Sequence, residues 1–299
     1  MKNVIAVIVT YNRLNLLKEA VEAVRSQTVS VAKTIVVNNG STDGTKEWLL
    51  QQHDLLVHNQ ENLGGSGGFY SGIKLAAGYA ADWVWIMDDD TICRSDTLER
   101  LVEKVSILNK EKIGFICSKG VWIDGSPHLM NLVDMKPVVN KSMPFNKYDN
   151  HNMLLTAGCS FVSVLISMDA IKELGLPYKE FYIWGDDQEY THRITKSGYL
   201  GVYCSDSIVL HKTPKNYFAY IVTDAPANLW KHKYGFRNEF FQVKKNKGFL
   251  FYMLYTIGMV GFISYKILKN RKDNRFKYIS TVMSSAWDSL FFNPKIDFV

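Results

Sequence analysis

The sequence predicts an α/β protein built on a mostly parallel, doubly wound sheet, followed by a basic helical extension. Three observations carry this reading. Short apolar runs alternate with segments whose apolar residues recur at helical spacing, the runs end in polar turns, and positive charge is concentrated in one stretch near the C-terminal end. The chain has 299 residues, 47% apolar and 21% charged, an ordinary folded composition of about two domains that excludes disorder and collagen-like repeats.

The first run, Val4 to Val9, is too short for a signal h-region and leads into a polar turn, so it is expected to be a buried strand with no secretory targeting. Leu14, Leu17, Ala20, Val21 and Val24 then form the stripe of a helix packed on a sheet. A second strand, Ile35 to Val37, ends in the loop Asn38-Asn39-Gly40-Ser41-Thr42-Asp43-Gly44. A short strand near Leu55 to Val57 precedes the run Gly64-Gly65-Ser66-Gly67-Gly68, a helix from Phe69 to Ala80, and a fourth strand, Trp83 to Met87, that runs into Asp88-Asp89-Asp90. Such alternation implies right-handed crossovers, and ligands then bind outside the carboxyl ends of the strands, where these polar turns fall.

The glycine run matches neither the dinucleotide fingerprint, whose third glycine would fall at Tyr70, nor the phosphate-binding P-loop, because Ile73 and Lys74 follow Gly72. It reads either as a flexible linker or as a loop whose missing side chains admit a ligand to the backbone. Three consecutive aspartates repel one another unless a cation sits among them, and a hard divalent ion sharing phosphate oxygens satisfies that need; the alternative is a solvated helix-capping turn. A second acidic cluster, Trp184-Gly185-Asp186-Asp187-Gln188-Glu189-Tyr190, opens a helix ending at Gly198. Its acids either complement the helix dipole or serve sugar recognition, with one carboxylate taking a hydroxyl proton. His211 closes a further apolar run, Ile208 to Leu210, and is either a core histidine or a third metal ligand. The cysteines, Cys93, Cys117, Cys159 and Cys204, are widely spaced without a CxxC pair, which fits a reducing compartment and no zinc site.

Taken together, Val9-Thr10-Tyr11-Asn12-Arg13, Val37 to Thr45 and the aspartate triplet resemble the family 2 glycosyltransferases of GT-A fold over about the first 215 residues. Asn62 to Phe69, Trp85 to Asp90 and Trp184 to Tyr190 are similar to the bacterial galactofuranosyltransferases and to rhamnosyltransferases of surface-polysaccharide assembly. The resemblance implies inverting transfer from a nucleoside diphosphate sugar, with Asp88, Asp90 and His211 holding Mn²⁺ or Mg²⁺ and Asp187 as general base. Trp184, Asp186 and Glu189 would contact acceptor or donor hydroxyls. Thr10, Asn12, Arg13, Asn39 and Asp43, with Gly65, Asp88 and Asp89, would line the nucleotide pocket. One departure is Asn38, where many members have Asp.

Residues 231–277 hold 12 Lys and Arg against Glu239 and Asp273, a net +10, which leaves −4 for the rest of a chain of net +6. Within them, residues 248–265 carry no charge and are flanked by Lys244, Lys245 and Lys247 before and Lys266, Lys269, Arg271 and Lys272 after. That pattern favours an amphipathic segment lying on an anionic membrane over a span, with a buried helix as the alternative. Residues 1–220 are thus expected to be a GT-A catalytic domain and 221–299 a helical, membrane-associating region. The expected enzyme is a metal-dependent galactofuranosyltransferase using UDP-galactofuranose and a glycan or polyprenyl-linked acceptor on the cytoplasmic face. Competing readings are a rhamnosyltransferase using dTDP-rhamnose, a nucleotidyltransferase, or a non-catalytic membrane-bound sugar-binding module. Nucleic acid is not an expected partner, because the basic residues flank an apolar stretch and line no stacking surface.

Overall fold

The computed structural model describes residues 3–135, 138–139 and 143–299. The chain forms two compact units: Met1–Lys179 with Asp187–Tyr217 and Ile296–Val299, and Glu180–Asp186 with Phe218–Lys295. The sequence places one division at residue 220; the units divide at 217, and two short segments each belong to the other body.

The first unit contains β1 (Val4–Thr10), α1 (Leu14–Arg25), β2 (Lys33–Asn39), α2 (Thr45–Leu49), β3 (Leu55–Gln60), α3 (Gly64–Ala77), β4 (Trp83–Asp88), β5 (Thr91–Cys93), α4 (Thr97–Ile107) and β6 (Ile113–Val121). It continues through β7 (Val138–Val139), β8 (Met143–Pro144), β9 (Met153–Thr156), β10 (Val164–Ser167), α5 (Met168–Leu174), α6 (Asp186–Lys196, whose first residue groups with the second unit) and β11 (Leu200–His211). The main sheet runs β3-β2-β1-β4-β10-β6-β11-β5, with β9 also paired to β11. Its first four strands are parallel, as their buried apolar runs require, whereas β10 lies antiparallel between β4 and β6. One face packs Ala6, Ile8 and Trp85 against Leu17, Val21 and Leu98; the other packs Val7, Val9 and Ile86 against Phe69, Ile73 and Ile171.

The glycine run is neither linker nor open loop. It forms the first turn of α3, where a Cβ on Gly68 would stand 2.4 Å from Val9 Cγ1 and one on Gly72 2.3 Å from Val7 Cγ1. These glycines let the helix lie close on β1. At Gly65, by contrast, a Cβ would meet nothing within 4 Å.

The second unit contains α7 (Leu229–Lys247), α8 (Phe249–Asn270) and α9 (Arg275–Phe291), which pack on one another around Ile221, Val222, Leu229, Ile263, Ile267, Tyr278 and Val282. Gly248 at φ +82° separates α7 from α8. The uncharged stretch of the sequence is α8, long and apolar enough to cross a membrane by length and composition, at mean hydropathy 1.4. Two residues counted among its basic flanks face inward. Lys244 Nζ donates to the carbonyls of Ser289, Leu290 and Phe292, and the buried Arg271 guanidinium donates to those of Ile221, Val222 and Asp224.

Candidate active site

The aspartate triplet sits where the parallel half of the sheet ends. Asp88 closes β4, Asp89 and Asp90 make the turn, and Thr91 opens β5, which pairs antiparallel with the last residues of β11 so that His211 lies opposite Thr91. This pairing brings His211 to Asp90 across a long sequence separation. Ligand atoms of Asp88, Asp90 and His211 all lie within 4.8 Å of one another.

The three carboxylates have different surroundings. Asp89 is buried and accepts hydrogen bonds from Thr10 Oγ1 at 2.8 Å, the Tyr11 amide at 3.3 Å and Arg13 Nη1 at 3.3 Å, so it ties the β1 turn to the triplet. Burial, only partly offset by Arg13, pushes its pKa up to about 6. Asp90 Oδ2 accepts from Arg13 Nη1 at 2.5 Å. Burial alone would raise the Asp90 carboxyl, but His211 and Arg13 outweigh it and hold the group below its ordinary value.

Asp90 Oδ1 is buried without a hydrogen bond of acceptable geometry, although His211 Nε2 stands 3.2 Å away. The imidazole is oriented from its far side. Asn131 Nδ2 donates to Ser160 Oγ at 2.7 Å, which turns Asn131 Oδ1 toward His211 Nδ1 at 2.7 Å and puts the proton there. With a proton on Nδ1, Nε2 is the ring atom turned toward Asp90 Oδ1, the contact through which His211 holds the Asp90 carboxyl down. A divalent cation that displaced an Nε2 proton would be held by both atoms. Two carboxylates and an imidazole suit Mn²⁺, and the carboxylates suit Mg²⁺, so the residues fit the metal the sequence implies.

His128 and Asn131 are the site residues that sequence reasoning missed. The His128 ring lies 4.3 Å from that of His211, centre to centre. Its Nδ1 accepts from the Met130 amide, and its Nε2 lies 2.7 Å from Thr213 Oγ1, which in turn donates to the Lys215 carbonyl. Burial, reinforced by His211, lowers its pKa to about 4, so a neutral ring supports the ligand face. Neither residue stands in a motif; only their place between β6 and β10 brings them to β11.

The residues expected to line the nucleotide pocket gather at the same sheet edge, and many also tie the loops together. Asn12, at φ +53°, accepts from the Thr42 amide at 2.7 Å, and its own amide donates to Ser41 Oγ. Asn39 is buried, donating to the Gly64 carbonyl and accepting from Gln60 Nε2 and the Leu63 amide. Asp43 accepts from the amides of Leu14 and Thr45, fixing the starts of α1 and α2.

In the second acidic cluster, α6 starts at Asp186 and carries Asp187 in its first turn, where the Gln188 amide donates to Asp187 Oδ1 at 2.7 Å. Acids are favoured there by the helix dipole. Glu189 is buried and pairs with Arg193 at 2.9 Å, while Arg193 donates to the carbonyls of Leu174 and Leu176 and so anchors the helix. Trp184 belongs to a loop of unusual backbone, with Tyr182, Trp184 and Gly185 at φ +65°, +63° and +86°. In the second unit, buried Asn238 of α7 holds that loop by donating to the carbonyls of Phe181, Ile183 and Trp184 at 3.0, 3.2 and 2.8 Å.

A parallel half-sheet that ends in an Asp-Asp-His cluster, with loops gathered at its carboxyl edge, defines a GT-A-type nucleotide-sugar glycosyltransferase. Glycosyl transferase family 2 matches residues 5–175, and the chain belongs to that family. It is 25% identical to galactofuranosyltransferase GlfT1 of Mycolicibacterium smegmatis over 79% of this chain and 81% of the relative. It is 28% identical to GlfT1 of Mycobacterium tuberculosis over 70% of each chain. It is also 25% identical to the O-antigen chain rhamnosyltransferase RfbN of Salmonella typhimurium over 71% of this chain and 68% of that one. Among solved structures, GalNAc-T7 with UDP, GalNAc and Mn²⁺ matches the fold at TM-score 0.58 and 15% identity, covering 82% of this chain; this chain spans about half (48%) of that one.

Proposed function

We propose that this glycosyltransferase moves galactofuranose from UDP-galactofuranose to a lipid-linked glycan in surface-polysaccharide assembly, with inversion, on the cytoplasmic face of a membrane. The observation that carries its metal dependence is the orphaned Asp90 Oδ1 facing His211 Nε2 beside Asp88. When bound there, Mn²⁺ or Mg²⁺ supplies positive charge to a diphosphate leaving group as the C1–O bond breaks. Asp187, in the first turn of α6, takes the proton of the incoming acceptor hydroxyl, and Trp184 and Asp186 contact sugar hydroxyls. Arg13, already paired with Asp90, adds a fixed positive charge at the nucleotide edge. The open space over Gly65 leaves room for the donor at the start of α3.

The choice of donor rests on the GlfT1 relatives, and the RfbN relative supports dTDP-rhamnose as the second reading. A panel of UDP- and dTDP-sugars, assayed with Mn²⁺ and then with EDTA, tests both. Turnover of UDP-galactofuranose that EDTA abolishes is expected; turnover of dTDP-rhamnose instead selects the second reading, and EDTA-insensitive turnover removes the metal from it. Asp187→Asn is expected to lower transfer by about 10²- to 10⁴-fold while Mn²⁺–UDP binding, followed by calorimetry, stays unchanged. Normal turnover of Asp187→Asn would exclude it as the base.

A further inference from the structure

Within the expected membrane-associating region, residues 221–299, the sequence marks only 248–265 as an uncharged apolar stretch, and the structure exposes a second apolar stripe. α8 buries Tyr252, Thr256, Ile263 and Ile267 on one side and exposes Leu250, Leu254, Ile257 and Leu268 on the other. α9 repeats the arrangement, burying Tyr278, Val282, Ser285 and Ser289 while exposing Phe276, Met283, Trp287 and Phe291. The latter four recur at i, i+7, i+11 and i+15, with Ser280 in the gap, and so form one continuous helical stripe. Phe276 is 84% exposed, Phe291 74% and Trp287 64%, far more than a soluble surface leaves on large side chains in a row.

We infer that α8 and α9 together form the lipid-facing surface of the second unit, and that its occupant is an anionic bilayer. The inference rests on the proposed membrane association and assigns the contact to the exposed faces of two particular helices. Charge selects the occupant. The first turn of α9 carries Arg275 and Lys277 and no acid, the wrong sign for the positive end of its own helix dipole, and both side chains are exposed. Lys247, Lys269 and Lys272 are exposed around the ends of α8. A rim in which bases outnumber acids, Asp273 being paired with Arg271 and Asp288 with Lys233, fits phosphate headgroups over acyl chains around bulky apolar side chains, and Trp287 is of the type enriched at that boundary. The same packing disfavours a span. Tyr252 Oη bonds Ser289 Oγ at 2.8 Å and Tyr255 Oη bonds Glu239 Oε1 at 2.5 Å, so a crossing α8 would strip these polar groups from α9 and α7.

The test uses the full chain and flotation with vesicles of phosphatidylcholine mixed with phosphatidylglycerol, against phosphatidylcholine alone. Trp287→Glu with Phe291→Glu is expected to weaken binding to the mixed vesicles by at least about tenfold, the loss implied by exposing even one large apolar side chain. Trp287→Ser, which adds no charge, is expected to weaken it in the same direction, and circular dichroism checks that each variant stays folded. Leu254→Glu with Ile257→Glu probes α8 separately. Loss with the α8 pair but wild-type binding with both α9 variants overturns the inference and leaves the membrane reading intact; no binding of the wild-type chain overturns both. Sedimentation velocity supplies the remaining arm. A lipid-free dimer that the α9 variants dissociate would make the occupant a second copy and overturn the inference.

Discussion

At the scale of single residues, the imidazole of His211 is set by a neighbour that touches no ligand. Asn131 can hold the proton on Nδ1 only because its own amide is turned by Ser160. Asn131→Leu removes the acceptor, and Mn²⁺ affinity in the presence of UDP, titrated by electron paramagnetic resonance, is expected to fall about 10- to 100-fold; Asn131→Asp restores an acceptor and recovers part of it. An unchanged affinity would show that His211 is not oriented through this bond. His128 makes a pH prediction. Its folded pKa, about 4, lies below the ordinary 6.5, so between these values the unfolded chain binds more protons than the folded one. Stability is therefore fully present above about pH 6.5, falls with decreasing pH, and stops falling from this source below about pH 4. Buried His232, whose pKa burial also lowers despite its Asp224 partner, acts in the same direction. Urea midpoints measured across this window are expected to slope less steeply with pH in His128→Gln, and an unaltered slope would refute the assignment.

Among the elements, the loop Phe181 to Gly185 is held against its own preferences. Positive φ at Tyr182 and Trp184 costs about 1–3 kcal/mol per residue, and the amide of Asn238 offsets it by donating to three carbonyls of that backbone, those of Phe181, Ile183 and Trp184. Asn238→Ala is expected to let the loop relax, with faster amide hydrogen exchange at residues 181–185 and transfer slowed by about tenfold or more through misplaced contacts. Mn²⁺–UDP binding should not change, which separates this effect from global unfolding. Nothing in the sequence shows Asn238 at work, because its partners are carbonyls and carbonyls leave no trace in residue type. Periodicity does show β1, α1 and β4, since their buried faces must be apolar. It cannot show that the Gly68 and Gly72 positions are a contact with Val9 and Val7, because a glycine chosen for close packing and one chosen for flexibility are the same residue. The aspartate triplet was legible as a group, whereas the separate task of Asp89, tied to Thr10 and Arg13, needed the fold to bring β1 alongside β4.

For the whole molecule, charge distribution decides how the proposed membrane contact responds to salt. The net +10 of residues 231–277 overstates the charge available to a surface, because Lys244 and Arg271 spend theirs on buried carbonyls. The exposed remainder includes Lys247, Lys269, Lys272, Arg275 and Lys277, and each basic side chain near an anionic leaflet contributes about 1 kcal/mol. That contribution decays over the Debye length, about 8 Å at physiological ionic strength and about 3 Å at 1 M. The apolar contribution from α8 and α9 does not decay with salt. Binding to phosphatidylglycerol-containing vesicles is therefore expected to weaken as sodium chloride rises and then to level at a plateau, and Trp287→Glu with Phe291→Glu should lower that plateau together with the low-salt binding, leaving only the apolar contact of α8. Lys272→Glu with Lys277→Glu should lower the low-salt binding and leave the plateau in place. A curve that falls to zero in the wild type would mean that charge alone holds the protein to lipid, and a flat curve that the basic rim takes no part.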